Sequence, residues 1–154
     1  MPYLESQVAE LNQAFGGYMS LRLILADSAD PRPGFHEVTL AEVSPEEVGD
    51  ISGEPEAGGT CREVATSGSL IVKARCLLAA GRWRSEVAMH EVGHGLGFEH
   101  VRDGVVAAMM NPSAPVNDFT ALELEAIHRV FTSGLEPGAT RIDFARLGLI
   151  GGGS

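Results

Sequence analysis

Basic residues are scarce in this chain: 11 Lys and Arg stand against 21 Asp and Glu, a formal net charge of −10 at neutral pH. No run of Lys or Arg interrupts the acidic excess, so the summed field repels phosphate backbones and anionic headgroups, and neither nucleic acid nor a membrane surface is an expected partner. Long apolar runs are missing as well. The longest stretches, residues 77–80 and 105–110, fall far short of the roughly 20 residues that cross a bilayer. Residues 1–12 carry no basic segment leading into an apolar one, so no secretory signal is read there, and a cytosolic protein or an excised domain is expected on that ground. Internal repeats are absent, and the Gly-Gly-Gly-Ser run at 151–154 is set aside as a linker-like tail.

Cysteine is nearly absent. Cys61 and Cys76 are the only two, and closing them as a disulfide would stabilise the chain by roughly 3 kcal/mol in the chain-entropy model. A bridge is the expectation and implies an oxidising, extracellular setting; two unpaired, partly buried thiols in a reducing compartment are the alternative.

What remains is sufficient for a core. The 154 residues are 44% hydrophobic, which fits one globular domain over residues 1–150. Leu4, Val8, Leu11 and Phe15 share one helical face before Gly16 and Gly17, predicting a helix over 4–15. Leu21, Leu23 and Leu25 alternate with Arg22 and Ile24 and predict a strand, and 35–43 predicts a second. Residues 44–59, with Glu46, Glu47, Asp50, Glu54 and Glu56 among prolines and glycines, suggest a solvated acidic loop, since their spacing is not that of an EF-hand. Two β-prone runs, 60–66 and 69–74, flank Ser67-Gly68 as a hairpin with the cysteines towards its outer ends. Helices are predicted over 83–95 and 120–131, the second opened by the capping-box spacing of Thr120 and Glu123.

The chemistry concentrates in residues 90–100, His-Glu-Val-Gly-His-Gly-Leu-Gly-Phe-Glu-His, which hold three of the chain's five histidines. At 3.6 residues per turn, His90 and His94 lie one above the other on one helix face, where both imidazoles reach one ion at about 2.0–2.1 Å. Glu91 is rotated by about 100° from His90, beside such an ion rather than on it, as a general base for a water requires. A straight helix would carry His100 about 9 Å past His94. The backbone must therefore turn back, and Gly97 can do so with a positive φ. Three neutral imidazoles leave a fourth position for water, the pattern of a catalytic zinc. His36 and His128 have no ligand-like neighbours and are assigned no role.

This segment resembles the signature of the metzincin clan of zinc endopeptidases, and Met110-Asn111-Pro112, ten residues after His100, resembles the matrixin-type methionine turn. The resemblance implies an α+β, metzincin-like zincin fold: a twisted mixed β-sheet with one antiparallel edge strand, an active-site helix and a C-terminal helix. It implies Zn2+ held by His90, His94 and His100, Glu91 as general base and acid, and Met110, with Met109 as fallback, as an apolar floor under the imidazoles. A protein or peptide substrate would add to the edge strand, for which 60–66 is the candidate. Residues 111–116 would line the pocket beyond the scissile bond. Val101 stands where matrixins carry Ser. Pro112 stands where other families of the clan place a Tyr, leaving zinc and Glu91 to handle the oxyanion. No cysteine-switch propeptide is read in the chain, nor a strand ahead of the first helix. The expectation is a secreted, monomeric zinc endopeptidase. Alternatives are a catalytically silent zinc-stabilised module that binds peptides or proteins, and a zinc hydrolase with a non-protein substrate.

Overall fold

The computed structural model describes residues 2–16, 20–24, 31–34, 37–67, 70–101, 108–112 and 116–132. Among them are four helices and one three-stranded mixed sheet, a small α+β arrangement. The chain divides into two compact units, Leu25–Gly97 and the pair of segments Met1–Ile24 and Phe98–Ser154. The tail at 151–154 and His36 lie outside the described residues.

The first unit is built on the sheet. Strand β1 (Glu37–Val43) runs parallel to β3 (Leu70–Ala79), and β2 (Gly59–Ser67) pairs antiparallel with the other side of β3, giving the order β1-β3-β2. The hairpin and its antiparallel edge strand are thus present, with β3 longer than the sequence suggests. The register shifts around Val64, so the edge strand carries a bulge there, and the Val64 side chain is exposed. Cys61 and Cys76 face each other across this pairing and form a disulfide.

Residues 44–59 are not the open acidic loop expected from composition. Helix α2 spans Pro45–Ser52. Its start follows capping rules: the Ser44 hydroxyl accepts the Glu47 N–H at 3.2 Å, proline occupies the first turn, and Glu46 and Glu47 sit at the positive end of the helix dipole. Gly53 ends it with φ 79°, where a side chain would be strained. Val48 is buried against Ala41, Leu77 and Ala79, with Ile51 packed beside them. The acidic residues Glu46, Glu47 and Asp50 remain exposed on the outer face, so the composition identified the solvated side but not the helix beneath it.

Helix α3 (Ser85–Gly95) packs on the sheet through Gly95. A β-carbon at Gly95 would meet Val38 Cγ1 at 2.7 Å and Ala74 Cβ at 3.3 Å, so only glycine lets the last turn of α3 approach β1 and β3 this closely.

The second unit joins α1 (Pro2–Phe15) to α4 (Ala121–Thr132). Leu11, Phe15, Ala126 and Ile127 are buried, and Phe98 and Phe119 pack with ring centroids 5.7 Å apart. Gln7, fully buried on α1, donates to Asp118 Oδ1 at 2.8 Å and accepts the Phe119 N–H at 3.3 Å, while the Tyr3 hydroxyl donates to the Asn117 carbonyl. The strand expected at Leu21 and Leu23 is not formed in the described residues, and Leu25 lies outside them. The cause is local: Asn12 satisfies the Leu21 backbone on both sides, accepting its N–H at 2.6 Å and donating to its carbonyl at 2.9 Å. Those are the groups a ladder would need, and Leu23 and Ile24 are left exposed.

Candidate metal centre

Helix α3 carries His90, Glu91 and His94, and only His94 of the three is appreciably open to solvent. The four-residue spacing does what the helical period requires. The Nε2 atoms of His90 and His94 approach to 3.2 Å, with the rings nearly perpendicular. Two nitrogens bound tetrahedrally to one zinc at the usual distance would be about 3.3 Å apart, so this pair is already spaced for an ion.

The helix ends where the motif demands it. Leu96 N–H bonds back to Val92 and Gly93 carbonyls at 3.0 and 3.1 Å, and Gly97 N–H to the His94 carbonyl at 3.0 Å. Gly97 then takes φ 101°, the positive-φ turn expected from the sequence. His100 follows three residues later and is exposed. One candidate ligand atom from each of His90, His94 and His100 lies within 4.8 Å of the others. This eleven-residue stretch thus brings together three imidazoles that could hold a metal ion. Imidazole suits zinc and other borderline transition ions better than calcium or magnesium, which prefer oxygen.

Glu91 faces β2. It is 6% exposed, and burial alone pushes its carboxyl up to about 8 from an ordinary 4.5. Room for it comes from Gly59 at the start of the edge strand. A β-carbon on Gly59 would stand 2.8 Å from Glu91 Cγ and 3.0 Å from Oε1. The backbone of Glu91 touches the disulfide, with its carbonyl oxygen 3.2 Å from Cys76 Sγ. Sequence reasoning singled out Glu91 but not Gly59, whose place in a Gly58-Gly59 pair resembled ordinary loop composition.

Met109 and Met110 form a turn and are fully buried. Asn111 is buried and Pro112 exposed; residues 113–115 of the expected substrate pocket lie outside the described residues. His128 is exposed on α4 and does not belong to the three-histidine group. A cleft beside α2, lined by Ile51, Thr60, Arg62, Val64, Arg75 and Leu77, contains none of the motif residues.

No protein-family model matches the chain, and comparisons with curated proteins and with solved structures find no match either.

Proposed function

We propose that this protein is a zinc-dependent endopeptidase of metzincin type. The observation that carries the reading is the grouping of His90, His94 and His100, with the buried carboxyl of Glu91 directly next to the first of them in the chain. Neither an inert structural metal site nor a purely binding module needs a carboxyl kept out of water at that position.

The imidazoles of His90 and His94 form the helix-borne part of the ligand set, and His100 completes it after the Gly97 turn. A bound zinc supplies Lewis acidity, polarising a carbonyl and making water more acidic. Glu91 takes the proton from the attacking water on a carboxylate oxygen and delivers it to the leaving amine. Among the described strands, β2 is the antiparallel edge, and a substrate peptide would add to it by main-chain hydrogen bonds. Gly59, against Glu91, opens that strand, so the Glu91 side chain lies beside the edge to which such a peptide would add, which supports the reading.

The proposal includes protein or peptide substrates, a monomeric protein and a secreted setting. The disulfide is consistent with the last, and no described helix is long and apolar enough to cross a membrane. The decisive experiment pairs metal analysis with proteolysis. The wild-type protein is expected to cleave unfolded casein in a reaction that a zinc chelator stops, and Glu91→Ala is expected to keep its metal and lose cleavage. Undiminished turnover by that variant, in a protease-free preparation, would sink the mechanism.

A further inference from the structure

His90 and His94 are preset by helical spacing, but His100 is not. It lies beyond the end of α3, after a glycine at φ 101°, and its side chain is exposed. Something other than the helix must fix its backbone if three nitrogens are to meet one ion.

The second unit contains a candidate for that task in Glu123. This carboxylate is fully buried in the first turn of α4 and accepts four hydrogen bonds. Its Oε2 receives the Thr120 N–H at 2.8 Å, the Thr120 hydroxyl at 3.0 Å and the Met109 N–H at 3.1 Å; its Oε1 receives the Met110 N–H at 2.7 Å. Helix capping accounts for the Thr120 bonds alone. The other two reach back along the chain to the methionine turn. Met110 in turn accepts the Val101 N–H on its carbonyl at 2.9 Å, and Val101, 1% exposed, is the residue joined to His100. A continuous relay therefore runs from the Glu123 carboxylate through the Met110 backbone to the neighbour of the third histidine.

We propose that Glu123 is a positioning residue for His100, holding the third candidate ligand in place through the Met110 and Val101 backbones. A carboxylate suits the task because its two oxygens supply about four lone-pair sites and no donor. Three donors converge on Oε2 and one on Oε1, so each oxygen must accept. A glutamine that keeps its oxygen on the three donors at Oε2 would turn its N–H₂ group towards the Met110 N–H, breaking the relay without changing side-chain size. The inference rests on the three-histidine metal reading above, and the test separates the two.

The experiment is a double-mutant cycle on the full chain, read as zinc affinity by chelator competition and as the visible spectrum of the cobalt-substituted protein. His100→Ala is expected to weaken zinc binding strongly. Glu123→Gln, which leaves every ring nitrogen intact, is expected to weaken it by about 10- to 100-fold, the usual range for outer-shell partners. The cobalt bands should also weaken as the site opens towards higher coordination. The decisive arm is the double variant: with His100 already gone, Glu123→Gln should cause no further loss. A general folding role would lower affinity by the same factor in both backgrounds, and that result overturns the inference, as does wild-type affinity in Glu123→Gln. Unchanged affinity in His100→Ala overturns the three-histidine reading itself, and the inference with it. If Glu123→Gln does not fold, Glu123→Asp, which keeps both oxygens one methylene short, takes its place in the same cycle with the same outcomes.

Discussion

Glu91 sits in the middle of α3 and Glu123 in the first turn of α4, both withdrawn from solvent, yet the two helices treat their carboxyl groups in opposite ways. Around Glu123 the chain supplies four donors, three of them backbone N–H groups, so the buried charge is solvated by protein in place of water. Around Glu91 burial dominates and drives the pKa to about 8. The helix starts differ in the same sense. Arg84, which precedes α3, makes no side-chain cap, whereas α4 opens with half of a capping box. A carboxyl given a full set of partners stabilises a fold. One held in a dry place without compensation is kept there against stability, which is the usual condition of groups that move protons.

The largest expected effect follows from Glu91. Loss of a general base typically lowers turnover by about 10²–10⁴-fold, and Glu91→Ala should fall in that range or beyond while retaining metal. Glu123→Ala should instead appear in stability. It strands two buried backbone N–H groups, at about 1–3 kcal/mol each before relaxation, together with a part-buried N–H and hydroxyl of Thr120, so a net loss of about 3–5 kcal/mol in urea denaturation is expected. A loss below about 1 kcal/mol would erase the contrast between the two carboxyls.

A pH titration of stability probes the same contrast more finely. The folded pKa of Glu91, about 8, lies above its unfolded value near 4.5. Native Glu91 therefore holds its proton where the unfolded chain has released it, and the slope is negative between those pH values. Its stabilising contribution is complete below about pH 4.5, declines as pH rises through 8, and is gone above. In the metal-free protein the urea midpoint should fall over that window by the equivalent of a few kcal/mol. Glu91→Gln, neutral at every pH, should flatten the fall. Equal slopes in wild type and variant would show that burial does not control this carboxyl.

The sequence announced these two residues unequally. The motif spacing placed Glu91 next to a ligand pair, and helical periodicity predicted both the 3.2 Å convergence of His90 and His94 and the need for a turn at Gly97. Glu123 was legible as a cap, since Thr120 three residues earlier is a local signal. Its bonds to Met109 and Met110 span 14 and 13 residues, and no local pattern encodes a contact of that range. The same limit explains the other differences. Leu21 and Leu23 alternate as a strand would, but Asn12, nine residues away, captures the Leu21 backbone. In α2 the signals were all present, with Ser44 as cap, Pro45 after it and Gly53 at the end, but abundant acid and glycine outweighed an eight-residue apolar period set by Val48 and Ile51.

Gly59→Ala gives the smallest effect and the narrowest test of how Glu91 is seated. In a strand, replacing glycine with alanine ordinarily stabilises by about 0.5–1 kcal/mol. Here the new methyl would stand 2.8 Å from Glu91 Cγ and 3.1 Å from the Leu77 carbonyl oxygen, so the expected sign is reversed, to a loss of about 1–2 kcal/mol. Much of that strain is borne by one side chain. Glu91→Ala removes the Cγ and carboxyl, the two nearest of the atoms the new methyl would meet, so the cost of Gly59→Ala should shrink by half or more in that background. In the single variant, displacement of Glu91 should lower casein cleavage several-fold while zinc affinity stays at the wild-type level, because no ring nitrogen is touched. Equal costs in the two backgrounds would place the strain on the Leu77 backbone and leave Gly59 no part in seating Glu91.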